Sequence, residues 1–465
     1  MSVSSLLMHA WLPTPSQHFL WIAGSLLIYV GSTRLANIRR PPASAIAWVM
    51  GLVLLPYVWL PLFLLFGRRK LRMGVSAPVE HVPHIGQPAH WATEMIGAFG
   101  LPGPVGAQTR FHADGKEALE ALWQCVEGAQ KTLDVCTFLV ANDAVGKELV
   151  SRLALKAKQG VRVRLLVDGA GVWIARHPSF RTLCRAGGKV ALFHPLLGLR
   201  HHGSRNLRNH RKCVIADEAL LWSGGRNMAV EYFCGDAAHP QPWVDLSFDM
   251  KGPIAAIASQ QFEMDWSHAH GAVRLLHETQ GTDARPSTAL AQLLPSGPDQ
   301  AEDTAHAILI AACFQAKKRL VAVTPYFVPD EALLSAMRLA ARRGVEVKLV
   351  LPLASNHLLA DFVRSRSLRI LASAGVHIHV APYMLHAKAV VVDDDFALTG
   401  SVNLDVRSLL LNYELAMAFY GKTEVAWLSA WIEGICRDTK VWHAKPAGLL
   451  RDLAEGLLLT LAFQL

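Results

Sequence analysis

The residues best suited to do chemistry in this chain belong to a short pattern that occurs twice. The pattern His-x-Lys-x4-Asp is found as His210, Lys212 and Asp217, and again as His386, Lys388 and Asp393. Each copy is followed by a glycine-containing turn that ends in an asparagine, Asn227 in the first and Asn403 in the second. All four positions recur at an offset of 176 residues, which indicates a duplicated half-site.

Paired histidines and lysines have the chemistry needed to cut and remake a phosphodiester. Such a reaction requires a nucleophile, a proton donor for the leaving oxygen and positive charge around the phosphoryl oxygens. An imidazole titrates near pH ~6.5 and can serve as nucleophile or acid, and two lysines supply the charge that a metal ion would otherwise supply. Residues two apart on a strand share a face, so each half-site presents one imidazole and one ammonium. We therefore predict a site with no metal and no other cofactor.

Further side chains are candidates for holding the phosphate and the histidines. Asn227 and Asn403 offer amide donors to phosphate oxygens. Each histidine also needs an acceptor on its second ring nitrogen, and the candidates are Asp245 and Glu414, 35 and 28 residues after their histidines. The two aspartates of the repeated pattern complete the candidate set, although Asp is frequent at turns and we expect these two to hold turns.

Alternating helix-like and strand-like segments surround both half-sites. The pattern predicts helices over 115–130, 146–159, 301–318 and 331–343, and strands over 132–140, 161–168, 320–328 and 345–352. Gly160-Val161 recurs as Gly344-Val345 at an offset of 184 residues, so we expect two domains of one fold with an 8-residue insertion in the second. The predicted class is α/β, with pseudo-symmetric domains at 109–285 and 286–445 whose mixed sheets are flanked by helices.

Composition and hydropathy indicate a protein attached to a membrane. Hydrophobic residues make up 52% of the chain and charged residues 18%, with a mean hydropathy of +0.25, which is more apolar than ordinary soluble enzymes. Residues 44–66 carry no charge and are long enough to span a bilayer, and residues 18–34 form a shorter apolar run. We predict a membrane anchor over 1–73 with transmembrane helices at these two places, followed by a linker over 74–108; alternatively, only the second helix spans.

The net charge distinguishes fewer possible functions than the hydropathy does. The formal net charge of +9 suits nucleic acid, an anionic bilayer or an anionic substrate equally well. Basic residues at 68–72 follow the second apolar run and favour a cytoplasmic main body, whereas a weaker basic cluster at 34–40 favours the opposite orientation. Residues 446–465 predict an amphipathic helix that either lies on the bilayer surface or packs on the second domain.

The chain resembles the phospholipase D superfamily and, within it, the bacterial cardiolipin synthases. The resemblance extends over nearly the whole chain and is carried by residues 206–212, 224–227, 231–233, 243–245, 262, 265–266, 324–330, 400–408 and 412–414. It implies a phosphatidyltransferase of the bacterial inner membrane, with a cytoplasmic catalytic part, that joins two phosphatidylglycerol molecules into cardiolipin and releases glycerol. The implied partners are this anionic phospholipid and the bilayer, and no nucleic acid; no oligomeric state is predicted.

The same resemblance implies a reaction in two steps. His210 is the implied nucleophile and forms a phosphatidyl-histidine, while His386 protonates the departing glycerol and then activates the hydroxyl of the second lipid. The lysines and asparagines of the two motifs would hold the phosphoryl oxygens. Because the halves are nearly symmetric, the two histidine roles are interchangeable at this level.

The motifs leave three other functions open. The same site would make a phospholipid hydrolase if water were the acceptor, a nuclease if the positive charge served nucleic acid, or a non-catalytic membrane scaffold. The uncharged run at 44–66 favours lipid over nucleic acid, and the intact histidines and lysines in both halves argue against a scaffold. The choice between water and lipid depends on access to the cleft, on which the motifs carry no information.

Overall fold

Two β-sheets of similar topology form the frame of the protein. They are seen in a computed structural model that describes residues 14–35, 42–67, 90–195, 206–237, 240–271 and 289–460. One sheet is built mainly from the first half of the chain and the other mainly from the second half.

The first sheet is mixed and has seven strands. They are β2 (Gln108–His112), β3 (Thr132–Thr137), β4 (Arg162–Asp168), β5 (Lys189–Phe193), β6 (Cys213–Ala216), β7 (Leu220–Gly224) and β8 (Ser247–Lys251). Their order is β2-β8-β7-β6-β3-β4-β5, with β3, β4 and β5 parallel and β6 antiparallel to β3. Because β6 runs against β3, the residues just before β6 lie at the carboxyl ends of the parallel strands.

The second sheet repeats this arrangement and adds a strand at each edge. Its strands are β1 (Val105–Gly106), β9 (Leu290–Ser296), β10 (Arg319–Val323), β12 (Glu346–Pro352), β13 (His377–Ala381), β14 (Ala389–Val392), β15 (Phe396–Gly400), β17 (Glu414–Phe419) and β18 (Lys440–Val441). Their order is β1-β9-β17-β15-β14-β10-β12-β13-β18, and β11 (Phe327–Val328) pairs separately with β16 (Leu404–Asp405). The predicted α/β class, with a duplicated unit on a mixed sheet, is confirmed.

The two halves differ in the connection that leads into the motif. From Gly160 to His210 is 50 positions, whereas from Gly344 to His386 is 42. The 8-residue insertion predicted for the second half is therefore wrong, because the additional residues are in the first half. The first half is longer between its last parallel strand and the motif, since Phe193 precedes His210 by 17 positions and Ala381 precedes His386 by 5. The second half is 4 positions longer before that point, from Gly344 to Ala381, which leaves the net difference of 8.

Helices flank both sheets, and several of them begin at acidic capping residues. Those of the first half are Gly115–Gly128, Ala144–Lys158, Gly169–Ile174, Arg181–Arg185 and Pro253–Ala269, with a 3-10 turn at Val230–Tyr232. Those of the second half are Thr304–Gln315, Glu331–Arg342, Leu358–Ser373, Val406–Leu410 and Lys422–Arg437. Asp114, Asp143 and Asp330 accept hydrogen bonds from first-turn amides of their helices, groups that have no partner within a helix.

A hydrophobic core shared by the two halves holds them together. The ring of Phe419, from the second sheet, lies 5.3 Å from that of Phe111 and 6.0 Å from that of Phe248, both from the first sheet. The Pro253–Ala269 helix contributes to the same buried cluster. Because burying aromatic surface contributes strongly to stability, this contact fixes the motif edge of one sheet relative to that of the other.

The N-terminal apolar region differs from the prediction. It forms three helices, Pro15–Leu35, Pro42–Leu54 and Pro56–Phe66, so the helix predicted over 44–66 is interrupted at Leu55. A proline lacks the amide hydrogen and its ring clashes with the preceding turn, which explains the break before Pro56. Among the described residues no helix combines the length and the apolarity needed to cross a bilayer, and the predicted transmembrane helices at 18–34 and 44–66 are not found.

The linker predicted over 74–108 is wrong for its last part, while residues 74–89 lie outside the described residues. Trp91–Ala98 forms a helix whose Ala92 and Ile96, four positions apart on one face, are fully buried in the shared core. β1 then pairs with β9 at the edge of the second sheet. The chain therefore contributes to the second sheet before it builds the first.

The last described helix, Leu449–Thr460, packs against the Leu358–Ser373 helix. Arg369 forms ion pairs with the fully buried Glu455 and, at 3.3 Å, with Asp452. Of the two alternatives for residues 446–465, packing on the second domain is observed up to Thr460, and the remaining five residues lie outside the described part of the chain.

Candidate active site

Both copies of the motif lie at the same edge of their sheets. His210 and Lys212 immediately precede β6, and His386 and Lys388 immediately precede β14. β6 and β14 run antiparallel to β3 and β10, so the four side chains lie at the carboxyl ends of the parallel strands. This is the edge at which α/β sheets bind their ligands.

Each motif histidine is hydrogen bonded to a carboxylate from the opposite half. Nδ1 of His210 lies 3.0 Å from Oε1 of Glu414, and Nδ1 of His386 lies 2.6 Å from Oδ2 of Asp245. The pairing expected within each half, with each acid serving the histidine that precedes it, is therefore wrong. The two half-sites are interlocked, because each one is completed by a side chain of the other.

Backbone pairing between the halves explains this exchange. Tyr413, which precedes Glu414, forms a parallel bridge with the residue before His210, and the N–H of His210 itself donates to the carbonyl of Tyr413 at 2.8 Å. Val244, which precedes Asp245, forms the same bridge with the residue before His386, and the N–H of His386 donates to the carbonyl of Val244 at 2.7 Å. Each carboxylate is thus placed beside the opposite histidine by main-chain hydrogen bonds.

The two motif lysines are buried beside their histidines. The exposed fraction is 0% for Lys212 and 3% for Lys388, and each ammonium donates to the carbonyl of its own motif histidine. Burial lowers the pKa of Lys212 to about 8 and that of Lys388 to about 7, although the two carboxylates oppose the shift. Desolvated ammonium groups are stabilised by an anion placed between them, so the site is prepared for a negatively charged ligand.

Burial also lowers the pKa of both motif histidines. Burial and the charge of Lys388 lower the pKa of His386 to about 3, against the opposing effect of its carboxylate partner. Burial lowers the pKa of His210 as well, and Lys388 contributes to this across the interface between the halves. Near pH 7 both imidazoles are therefore neutral in the substrate-free protein. A proton on Nδ1 faces the carboxylate, which leaves Nε2 as the unprotonated nitrogen.

The turn asparagines have amide oxygens that lack a partner. Nδ2 of Asn227 donates to the hydroxyl of Tyr232 at 2.8 Å, and Nδ2 of Asn403 donates to Oγ of Ser408 at 3.2 Å. Within the described part of the chain, Oδ1 of each asparagine is buried without a hydrogen bond. A buried polar atom without a partner costs about 1–3 kcal/mol, and its recurrence in both halves indicates a place where a ligand binds.

The aspartates of the repeated pattern are not brought to this cluster. Asp217 accepts three hydrogen bonds from the backbone N–H groups of residues 130–132, and Asp393 accepts three from those of residues 317–319. Their φ angles are 54° and 48°, a conformation that Asp adopts more readily than most residues. They hold the turns at the far ends of β6 and β14, which removes them from the candidate catalytic set.

Known proteins share both the sequence and the fold of this chain. Residues 122–266 and 309–436 each match the family described as cardiolipin synthase, phospholipase D-like domain, so the match is duplicated in the same way as the sheets. The chain belongs to this family. Cardiolipin synthase A of Pseudomonas putida (strain W619) is 32% identical over 401 residues, which cover 81% of this chain and 83% of that protein. Cardiolipin synthase A of Pseudomonas aeruginosa (strain LESB58) is 31% identical over 398 residues and 81% of each chain.

Solved structures with little sequence identity have the same fold. Phosphatidylserine synthase from Haemophilus influenzae Rd KW20 superposes with a TM-score of 0.61 at 16% identity, covering 78% of this chain and 95% of that chain. Polyphosphate kinase from Porphyromonas gingivalis superposes with a TM-score of 0.50 at 12% identity, covering 77% of this chain and 53% of that chain. At these identities the likeness concerns the fold alone.

Aromatic rings enclose the histidines of this cardiolipin synthase family member, and the sequence did not predict them. The ring of His386 has Tyr232 at 5.0 Å and Trp243 at 5.5 Å, and the ring of His210 has Phe138 at 5.3 Å, measured between centroids. Tyr232 and Trp243 do lie in segments that carry the family resemblance. The tertiary structure determines which ring faces which histidine. In the sequence, the only indication of a role for these rings is that they lie close to the motifs along the chain.

The two half-sites differ in how their carboxylates are held. Ser401 donates a hydrogen bond from its hydroxyl to the carboxylate of Glu414. The equivalent position in the first half is Gly225, where a Cβ atom would lie 2.2 Å from Oδ1 of Asp245. In the sequence Ser401 stands only as a residue of the turn before Asn403, and the spacing carries no signal for its partner.

Arg211 connects the halves beneath the site. Its guanidinium is 1% exposed and forms ion pairs with Asp265 of the first half and, at 2.8 Å, with Asp299 of the second. It also donates to the carbonyl of Glu414 at 3.0 Å. Because Arg211 lies between His210 and Lys212 in sequence, these contacts fix the backbone from which both motif side chains project.

Proposed function

We propose that this chain is a membrane-associated phosphatidyltransferase that makes cardiolipin from two phosphatidylglycerol molecules and releases glycerol. The observation that carries the proposal is the exchange of partners, with His210 held by Glu414 and His386 held by Asp245. It supports a shared site in which two oriented imidazoles serve one phosphorus atom. Membership of the family and relatives named cardiolipin synthase A favour this substrate over others.

In the first step the phosphodiester of one phosphatidylglycerol is cleaved. Nε2 of His210 attacks phosphorus, and the bond between phosphorus and the glycerol oxygen breaks while His386 gives its Nε2 proton to that oxygen. The more accessible ring suits the nucleophile, and the side chain of His210 is 14% exposed whereas that of His386 is 3% exposed. The products of this step are free glycerol and a phosphatidyl group bonded to His210.

In the second step the phosphatidyl group is transferred to another lipid. Neutral His386 takes the proton of a hydroxyl on the second phosphatidylglycerol, and the oxygen attacks phosphorus. The bond between phosphorus and Nε2 of His210 breaks, and its electron pair returns to the imidazole. Both histidines thereby regain their starting protonation states, as a catalytic cycle requires.

The proton used in the first step is taken up from solvent by His386 when the substrate binds. His386 is neutral in the empty site, because burial and the nearby Lys388 lower its pKa to about 3. A phosphodiester anion placed between Lys212 and Lys388 offsets that repulsion and raises the pKa of the imidazole. Binding of the substrate therefore also protonates His386, which can then act as the general acid.

The lysines and asparagines bind the phosphoryl oxygens in this scheme. Within the described ranges no group of three or more His, Cys, Asp or Glu side chains could hold a metal ion, and the ammonium groups of Lys212 and Lys388 are the cations placed at the motif histidines. The hydroxyls that pair with Asn227 and Asn403 can donate as well as accept. A half-turn of each amide keeps that bond and directs its NH2 group toward the phosphate.

The substrate also determines where the protein works. Phosphatidylglycerol resides in a bilayer, and the Pro15–Leu35 helix exposes apolar side chains such as Leu27, which is 74% exposed. Such a surface favours attachment to lipid. We place the enzyme at the bacterial inner membrane, with phosphatidylglycerol and the bilayer as its partners.

The test is to incubate the purified full-length protein in detergent with phosphatidylglycerol alone and to separate the products. Cardiolipin and glycerol in equal amounts are expected, and His210→Ala and His386→Ala are each expected to abolish turnover. The exposed His443 provides a matched control, since His443→Ala should retain full activity. Phosphatidic acid without cardiolipin would identify a hydrolase and overturn the proposal.

A further inference from the structure

Large apolar side chains are exposed next to the candidate site in both halves. In the first half Trp173 is 63% exposed and Ile174 is 69% exposed, at the end of the short helix that follows β4. In the second half Leu358 is 81% exposed and Leu359 is 55% exposed, after β12. Exposed apolar residues are common singly, but adjacent pairs of this size mark interaction surfaces.

These two pairs occupy equivalent places in the duplicated fold. Ile174 and Leu358 are 184 positions apart, the offset that also relates Gly160 to Gly344. Both pairs follow the carboxyl end of the corresponding parallel strand, which is the edge that carries the motif histidines. The exposed pairs therefore flank one site from two sides.

Direct contacts connect the first pair to its histidine. Asp168, which begins the helix of Trp173, accepts a hydrogen bond at 2.7 Å from the N–H of the residue before His210. Gly171 of the same helix packs against the carbonyl of Phe138, where a Cβ atom would lie at 1.8 Å. The ring of Phe138 faces His210, so the helix packs behind a ring that contacts the site.

A similar chain of contacts connects the second pair to the other histidine. The ring of Tyr326 lies 6.3 Å from that of His386 and 4.9 Å from that of His357, which directly precedes Leu358. The hydroxyl of Tyr326 donates to Oδ1 of Asn356 at 2.6 Å. Leu358 is thus connected to His386 through the neighbouring His357 and the ring of Tyr326.

Positive charge accompanies the apolar side chains. Arg176, two residues after Ile174, is exposed, and the chain has no acidic residue from Gly169 to Lys189. Exposed basic residues beside exposed apolar ones suit an anionic lipid surface, which attracts the former and takes up the latter.

We propose that Trp173, Ile174, Leu358 and Leu359 form a bilayer-docking surface that seats the motif edge on a membrane containing anionic phospholipid. This inference rests on the proposed function for the identity of the substrate. The docked protein receives lipid headgroups at its histidines while the acyl chains stay in the bilayer, which avoids exposing a whole lipid to water. Both substrates of the transfer reach the site from the same membrane.

Amide hydrogen exchange of the full-length protein tests docking without relying on turnover. Vesicles of phosphatidylglycerol and phosphatidylethanolamine should slow exchange in peptides covering 169–177 and 354–362, and phosphatidylcholine vesicles should slow it less. Leu155 and Leu339 provide the internal control, because they are 56% and 50% exposed, are related by the same offset of 184 and precede β4 and β12 at the opposite edge. Equal protection of the control peptides, or none at 169–177 and 354–362, would overturn the proposal.

Matched variants test whether docking serves catalysis. A variant combining Trp173→Ser, Ile174→Ser, Leu358→Ser and Leu359→Ser should lose at least roughly tenfold in kcat/KM for phosphatidylglycerol in vesicles. Its kcat/KM for a water-soluble short-chain phosphatidylglycerol should stay within about twofold, and Leu155→Ser with Leu339→Ser should change neither. A similar loss on both substrates would reject the docking role. Absence of turnover by the unmodified protein would count against the proposed function instead, and hydrogen exchange would still decide docking.

Discussion

Nδ1 of His386 lies 2.6 Å from Oδ2 of Asp245, although 141 positions separate the two residues and they belong to different halves of the chain. The contact lowers the pKa of Asp245. Burial raises this pKa, but His386 and Lys388 lower it by more. An ionised, buried acceptor keeps the proton of the neutral imidazole on Nδ1. Neither half of the molecule contains a complete site on its own.

Replacing Asp245 with asparagine is expected to disable the site without removing a catalytic histidine. An amide NH2 facing Nδ1 favours the tautomer with the proton on Nε2, which is the wrong nitrogen for the proposed chemistry. We expect Asp245→Asn to lower kcat by about four orders of magnitude, by analogy with other oriented histidines. Glu414→Gln should behave similarly, and kcat within a few-fold of the unmodified protein in both variants would contradict the cross-paired arrangement.

A covalent adduct should accumulate when the second step is blocked selectively. In His386→Ala the general acid is missing, but a phosphatidyl ester with a good leaving group, such as p-nitrophenol, does not need one. The first step then proceeds, whereas no base activates the acceptor, so mass spectrometry should find a phosphatidyl group on His210. His210→Ala treated in the same way should carry no adduct. An adduct on His386 in that variant would show that the two roles are exchanged.

The lysines should steepen the pH dependence of kcat/KM near neutrality. In the free protein the pKa of Lys388 is about 7 and that of Lys212 is about 8, chiefly because both are buried. Because His386 has a pKa of about 3 in the free protein and must gain a proton before it acts as acid, kcat/KM should fall gradually with pH. It should fall more steeply above about pH 7, where the lysines lose the charge that attracts the phosphodiester, since this parameter reports groups of the free enzyme. The measurement is kcat/KM on short-chain phosphatidylglycerol between about pH 5.5 and 9.5, the interval in which such groups titrate.

Lys388→Arg provides the control for this assignment. A guanidinium stays protonated throughout this pH range, so the variant, although slower, should begin its steeper decline nearer to the pKa of Lys212. A steeper decline that begins at an unchanged pH in Lys388→Arg would assign the titration to another group, and a profile that does not steepen in the unmodified protein would contradict the role of both lysines.

Repetition made the candidate site visible in the sequence. His210, Lys212 and Asn227 recur at a fixed offset together with the residues around them. Those neighbouring residues are the ones that form the end of a strand and a tight turn. The α/β class followed in the same way from alternating helix and strand patterns. These features depend on residues that are close in sequence, which is why they could be predicted.

Contacts between the halves could not be predicted in this way. Glu414 follows His210 by 204 positions, and its place depends on how two sheets share a core. The break at Leu55 was obscured because membrane helices tolerate proline, so the charge-free run at 44–66 appeared continuous. The helix at Trp91–Ala98 was missed because its buried face consists mainly of Ala92 and Ile96 within a segment otherwise rich in Pro, Gly and His.

Asp217 and Asp393 allow the stability of the fold to be separated from the chemistry of the site. Each accepts three backbone hydrogen bonds at a turn, and both residues are half-buried. We expect Asp217→Ala or Asp393→Ala to lower the free energy of unfolding by about 1–2 kcal/mol, the usual effect of losing such acceptors. The value of kcat/KM for the folded protein should not change, and an equal loss in catalysis would return these residues to the site.

The same variants have a defined dependence on pH. Burial raises the pKa of Asp217, but the backbone donors of Thr132, Gln130 and Lys131 lower it by more, and Asp393 behaves in the same way. A carboxyl whose pKa is lower in the folded than in the unfolded protein stabilises the fold above the unfolded pKa of about 3.9. This stabilisation is lost as pH falls through the folded pKa. Denaturant unfolding should therefore show a difference between unmodified protein and Asp217→Ala at neutral pH that shrinks in acid, and a difference independent of pH would mean that the carboxylate charge is not what holds the turn.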